Sequence, residues 1–176
     1  MKINAITRPA MALWLLAAAI GASMTASAQE TCPTTERTEL LAAYPAVRAF
    51  YDTYNTGDAS LIDCALDAGW VTNPRNPAQS VGPAGMRETI AGVAASFASL
   101  TFDIRDVVVA GDRIVVRSDL TVLQSGSFLG VDPSAEPLTI MNIDIHRVGS
   151  DGRIVETWHV EDWLSYLLQR GILPLG

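Results

Sequence analysis

The chain has 176 residues, 49% of them hydrophobic, with 12 basic residues against 19 acidic ones and a formal net charge of −7. That composition suits one domain with a real core. Its arginines are scattered rather than arrayed along one stripe, so nucleic acid and anionic membrane surfaces are poor partners.

The first segment predicts export. Lys2 and Arg8 make a basic start, Met11 to Ile20 an apolar run, and "ASA" before Gln29 a small-residue cleavage site. This is the pattern of a secretory signal peptide over residues 1–28. The apolar run is too short for a stable membrane anchor, and no later stretch would span a bilayer. The expected mature chain, residues 29–176, is a single domain in the periplasm or the medium. It keeps 10 basic residues, all arginines, against 19 acidic ones, a balance of −9. Cys32 and Cys64 are the only cysteines. In an oxidising compartment the expected state is one disulfide, worth about 3–4 kcal/mol through the loop it closes; two inert thiols are the plain alternative. Neither cysteine sits in a catalytic thiol motif.

Three helical patterns follow. "PAVRAFYDTYNTGD" spaces Val47, Phe50, Tyr51 and Tyr54 on one face, with Pro45 in the first turn and Gly57 as the stop. The preceding "TTERTELLAAY" reads as an extra turn or two bent at Pro45. "DASLIDCALDAG" has Asp58 as N-cap and Leu61, Ile62, Ala65 and Leu66 as its apolar face, ending at Gly69. "GPAGMRETIAGVAASF" carries Pro83 in its first turn and a stripe of Met86, Ile90, Val93 and Phe97. Short apolar pieces, "WVT" and "QSV", lie between the second and third helices.

The period then changes to two. "TFDIRDVVVA" and "RIVVRSDLTVL" flank the turn "GD", which would set Asp106 opposite Arg117. The loop "QSGSFLGVDPSAEP" leads to "LTIMNIDIHRV", the turn "GSDG", "RIVETWHV" and a short helix "EDWLSYLLQRG", for which Asp162 is the natural N-cap. Helices first and antiparallel hairpins after them predict an α+β fold with helices on one face of the sheet.

The words "VRAFYDTYNTGD", "WVTNP", "VGPAGMRETI", "VVVAGDRIVVR", "GSFLGVDP" and "DIHRVGSDGRIVETWHVEDW" run from Val47 nearly to the C-terminus. Together they resemble the SnoaL-like polyketide cyclases of the NTF2-like superfamily. The resemblance implies a cone: a curved, mostly antiparallel sheet wrapped around the N-terminal helices, closed by a short C-terminal helix and enclosing an apolar pocket. For the cyclases themselves it implies cofactor-free aldol ring closure by a side-chain acid or base. The family's aspartate after the tryptophan of the last block is His159 here, and histidines common elsewhere in the family are replaced by Asn73 and Gln124.

The last hairpin carries the chemistry. With "GSDG" as a four-residue loop, Asp144 opposes Thr157 and Asn142 opposes His159. All four then share one face, with Ile143, Ile145, Ile154 and Trp158 on the other. Asp144 and His159 become diagonal neighbours about 7–8 Å apart at Cα, close enough for the carboxylate to orient an imidazole acting as base. The greasier face would ordinarily point at a core, which would leave the pair in solvent; the resemblance turns the polar face inward instead. His146 would oppose Val155, four residues along from His159 and about 13 Å away, too far for a shared metal ion. It is expected as a rim or deep-pocket hydrogen-bonder. Glu156 and Arg147 are expected to pair on the opposite face.

The remaining pocket candidates rest on the resemblance: Tyr51, Tyr54 and Asn55 at the mouth, Trp70 and Asn73 from "WVTNP", Gln124 before the loop glycine, Phe128 as a lid, and Asn142 beside the pair. Ordinary readings stand beside these, with the tyrosines as core and Asn55 as a C-cap. The expected function is an exported enzyme doing cofactor-free aldol cyclisation, isomerisation or hydration and dehydration on an apolar carbonyl compound. His159 and Asp144 would be catalytic, with no metal and no cofactor. A non-catalytic binding protein for an apolar small molecule, or a dimerising interaction module, is the alternative. In either case a homodimer is expected through the outer sheet face.

Overall fold

The computed structural model describes residues 37–173. The expected signal peptide and Cys32 lie outside the described residues, while Cys64 is exposed. None of the described helices is long and apolar enough to cross a membrane.

A 3₁₀ stretch, Arg37–Ala43, leads into α1, Pro45–Thr56. Pro45 occupies the first turn, where its missing N–H costs nothing, and Gly57 ends the helix in the left-handed region at φ 72°. Asp58 then caps a second 3₁₀ turn by accepting from Ser60 N. Here the structure departs from the expected helix. α2 is only Ile62–Ala65, and Leu66 already begins β1, Leu66–Asn73. Tertiary pairing overrides the local helical pattern, because Leu66 is claimed by the parallel partner strand, facing Ile154. α3 spans Gly82–Ser96, and Phe97, expected at its end, opens β2, Phe97–Ala110.

β3 is Arg113–Gln124, β4 Leu138–Val148, β5 Ile154–Glu161 and α4 Trp163–Gln169. The five strands form a curved, unclosed sheet in the order β1-β5-β4-β3-β2, antiparallel except for β1 with β5. Gly111 and Asp112 make the expected two-residue turn, with Gly111 at φ 63°, and Asp106 faces Arg117. Arg147 pairs with Glu156 at 3.0 Å, and Asp162 caps α4 by accepting from Ser165 N at 2.9 Å.

The fold is α+β, with the cone shape that the resemblance implies. α1, α2 and β1 pack Val47, Phe50, Tyr51, Ile62, Leu66 and Trp70 against Val107, Ile114, Val116 and Ile154 of the sheet. A second cluster, Phe97, Leu120, Val122, Val131, Ile140 and Tyr166, closes the α4 end. Burying each large apolar side chain contributes about 1.5–3 kcal/mol.

The β4–β5 hairpin decides where the chemistry points. Val148 faces Ile154, but Arg147 faces Glu156, so Val155 is an extra residue in β5. The turn is one residue longer than expected and the bulge adds another, so the pairing moves by two residues in all and its parity beyond the bulge is intact. Asp144 therefore faces His159 directly, and His146 faces Thr157 rather than Val155. The bulge also separates Ile154, fully buried, from Trp158, which lies on the outer face beside Ile145 with the Arg113 guanidinium over its ring. Along β4 the buried residues are Ile140, Asn142, Asp144 and His146, whereas Met141 is exposed and Ile143 and Ile145 are only half-buried. The polar face looks inward.

Candidate active site

The inner sheet face, α1, α3 and the loop before β4 enclose a cavity of about 280 Å³. Its wall is aromatic: Phe50 and Tyr54 from α1, Trp70 from β1, Phe102 from β2, Phe128 from the loop and Trp163 from α4. One end is polar, formed by Asp144, Thr157, His159 and Glu161. No arginine lines it.

Asp144 is 4% exposed. Tyr51 Oη and Asn142 Nδ2 each donate to its Oδ2 at 2.7 Å. Burial pushes the carboxyl up to about 6, against the pull of those two hydrogen bonds and of His159; the nearby Glu161 charge pushes the same way as burial. Both accepted bonds fall on Oδ2. Oδ1 is not among the buried side-chain atoms lacking a partner, so it is the oxygen that opens toward the cavity.

His159 is half-buried, and its Nδ1 lies 2.9 Å from Glu161 Oε1, two residues along the same strand face. That hydrogen bond raises the imidazole above its ordinary value. Burial opposes it, while the charges of Glu161 and Asp144 and the Pro74 carbonyl add to it. The carboxylate that orients the imidazole is thus Glu161, not Asp144. Asp144 acts on the ring through space.

Of the residues expected at the pocket, Tyr54, Trp70, Phe128, Asp144 and His159 line it. The other six do not. Tyr51 and His146 lie beneath the floor, 1% and 0% exposed, with Tyr51 Oη 2.9 Å from His146 Nε2. Asn142 is buried between Ser118 and Asp144, its Oδ1 without a partner. Asn55 is exposed and clamps the backbone of Phe102 through both its amide atoms. Asn73 falls on the other face of β1 and donates to Glu156 at 3.0 Å. Gln124 is buried as a brace, donating to the carbonyls of Gly126 and Val131 and accepting from the Tyr166 hydroxyl. Apart from Asn142 Oδ1, these polar side chains spend their hydrogen bonds on the fold.

Two residues were missed. Glu161 reads in sequence as the start of the last helix, yet β5 runs one residue further and carries it into the cavity; its i,i+2 spacing from His159 was the available signal. Thr157 shares that face and accepts from Trp70 Nε1 at 3.0 Å. Phe128, expected as a mobile lid, packs at 4.7–6.1 Å ring separations against Phe97, Trp163 and Tyr166. Among the described residues no three metal-binding side chains converge.

The family model for SnoaL-like polyketide cyclase matches residues 45–170. The chain belongs to that family. No curated protein matches it in sequence. Among solved structures, the SnoaL-like chain is 29% identical to TsrD from Streptomyces laurentii, with a TM-score of 0.66, covering 79% of this chain and 99% of that one. It is 25% identical to IdmH from Streptomyces antibioticus, with a TM-score of 0.62, covering 72% and 96% respectively. A SnoaL-like polyketide cyclase from Agrobacterium tumefaciens shares the fold at 17% identity and a TM-score of 0.61, over 71% of this chain and 94% of that one. The family match over residues 45–170 includes both strands that carry Asp144 and His159.

Proposed function

We propose that this SnoaL-like protein is a cofactor-free enzyme that moves a proton at the carbon next to a carbonyl group. The observation that carries the reading is a buried carboxylate, Asp144, directly opposite an imidazole, His159, at the polar end of an aromatic cavity. A carboxyl held near 6 is a competent base close to neutral pH. An imidazole whose protonated form is favoured by Glu161 is a competent acid. Asp144 therefore takes the role of base and His159 that of acid, whereas the sequence reading made His159 the base and Asp144 its orienting partner.

In the first step Asp144 Oδ1 accepts the α-hydrogen as a proton. The electron pair of the broken C–H bond moves into the enolate, whose oxygen is stabilised by the His159 imidazolium. The enolate carbon then attacks a second carbonyl, whose π bond breaks and whose oxygen takes a proton from His159 (ring closure), is reprotonated elsewhere (isomerisation), or expels a β-hydroxyl that leaves as water with a proton from His159 (dehydration). The substrate is an uncharged compound of one or two rings. The cavity volume suits that size, and two carboxylates facing one imidazole, with no arginine, repel an anionic ligand.

Export by residues 1–28 and pairing of two copies belong to the same reading. The signal-like N-terminus supports the first. Exposed Met141 and Val160 beside half-buried Ile143, Ile145 and Trp158 support the second.

The test uses heavy water. The protein is incubated with a panel of uncharged one- and two-ring ketones and esters, and exchange of α-hydrogen for deuterium is followed by NMR. Exchange that is lost in folded Asp144→Asn and His159→Gln variants is expected. Tight binding of panel members without exchange leaves the binding-protein reading instead.

A further inference from the structure

Beneath the cavity floor a single file of hydrogen bonds runs from Trp70 to Asp144. Trp70 Nε1 lies 3.0 Å from Thr157 Oγ1, and Thr157 Oγ1 lies 3.0 Å from His146 Nδ1. His146 Nε2 is 2.9 Å from Tyr51 Oη, which is 2.7 Å from Asp144 Oδ2. The two ends fix the direction. An indole N–H can only donate and an ionised carboxylate can only accept. Four links separate them. Trp70, Thr157, neutral His146 and Tyr51 hold one N–H or O–H proton each, so only one arrangement fills every link. Trp70 donates to Thr157, Thr157 to His146 Nδ1, His146 Nε2–H to Tyr51, and Tyr51 to Asp144. In the other imidazole tautomer Nδ1–H would point at Thr157 and Tyr51 would turn its hydroxyl toward Nε2. Asp144 would then lose one of its two donors.

We propose that Trp70, Thr157, His146 and Tyr51 form a one-way relay of donors that holds Asp144 Oδ2, so that the proton Asp144 exchanges resides on Oδ1, and that His146 is a positioning residue locked as the Nε2–H tautomer. Burial makes the lock strict. The four relay residues and Asp144 are 0–4% exposed, so water does not compete for their bonds. His146 is also held neutral, its imidazole pushed down to about 3 by burial and by the neighbouring His159 charge. The titratable groups facing Asp144 are Tyr51 and Tyr54 from α1, His146 on its own strand, and His159 and Glu161 from β5. Asn142, donating to the same Oδ2 from the opposite side, completes the hold. That Asp144 is the proton-transferring group rests on the function proposed above; the direction of the relay does not.

The experiment is NMR on protein labelled with ¹⁵N-histidine and ¹³C-aspartate. Only two histidines are present, and a His159→Gln variant assigns them. The expected spectrum at pH 7 has His146 protonated at Nε2 alone, unchanged down to pH 5. Thr157→Val removes the partner of Nδ1 and yields a mixture of tautomers. Tyr51→Phe removes the last donor and moves the Asp144 midpoint up by roughly one pH unit, since a hydrogen bond to the charged form is lost. An Nδ1–H or doubly protonated His146 at pH 7 overturns the relay, as does an Asp144 midpoint that stays or falls in folded Tyr51→Phe. Should Tyr51→Phe not fold, the wild-type tautomer decides alone. Intact Nε2–H with no deuterium exchange on any substrate sinks the base role and leaves the relay; exchange with the wrong tautomer does the opposite.

Discussion

Asp144 and His159 face each other across β4 and β5, yet the imidazole hydrogen-bonds Glu161 on its own strand rather than Asp144. The two groups are thus poised independently. One is a carboxyl that burial makes reluctant to ionise, and the other an imidazole that a carboxylate makes reluctant to lose its proton. Keeping the pair apart lets each hold a different protonation state at the same pH.

That separation gives Asp144 a stability cost. Its folded value near 6 exceeds the ordinary 3.8, so between those pH values the folded chain retains a proton that the unfolded chain releases. Stability from this group is full below about pH 4 and is lost as pH rises through 6, an effect of up to about 3 kcal/mol. Asp144→Asn is expected to be more stable than the parent in urea at pH 8, by about 1–2 kcal/mol after lost hydrogen bonds, and less stable than it at pH 4 by about 1–2 kcal/mol, where the ionisation cost is gone and the lost hydrogen bonds remain. Its exchange activity should drop by about 100-fold or more.

His146 carries the opposite sign. Its folded value near 3 lies below the ordinary 6.5, so on acidification the unfolded chain takes up a proton that the folded chain refuses. Stability from this group is present above 6.5 and is lost as pH falls toward 3. Between pH 7 and pH 4 the parent should lose about 3 kcal/mol more than His146→Gln, read from urea midpoints at the two pH values.

Glu161→Gln removes the charge that helps hold up His159 and leaves at most a weaker, neutral acceptor for its Nδ1–H. The ring-proton titration midpoint of His159 should fall, because burial is left to dominate. An unmoved midpoint would show that Glu161 does not set the imidazole's charge.

For the outer sheet face, Val160→Arg places a charge on a side chain that is 60% exposed. If two copies pair through this face as proposed, sedimentation is expected to show the parent as a dimer and the variant as a monomer, with thermal stability of the single chain and deuterium exchange little changed.

Much of this was legible in the chain itself. The turn at Gly111–Asp112, the start of α1 at Pro45 and the caps at Asp58 and Asp162 each depend on one residue with a narrow conformational or hydrogen-bonding preference. So did the shared face of Asp144 and His159, which survives any register change of two. The rest depended on distant partners. Leu66 leaves its helix because a parallel strand takes it, Val155 bulges where a tight turn must rejoin the ladder, and Asn73 is drawn outward by Glu156. Tyr51, His146 and Gln124 looked like ligand contacts because polar groups on an inward face invite that reading. Their capacity is consumed by one another and by loop carbonyls far away in sequence.

β4 wears its coat lining-side out, with asparagine, aspartate and histidine within and methionine and isoleucine toward the exterior. Anyone engineering this scaffold by hydropathy would protect the wrong side. Swapping Ile143 and Ile145 for soluble residues would touch the face proposed to join two copies and leave the cavity alone, whereas "repairing" the hydrophilic positions between them with leucine would erase the reactive centre.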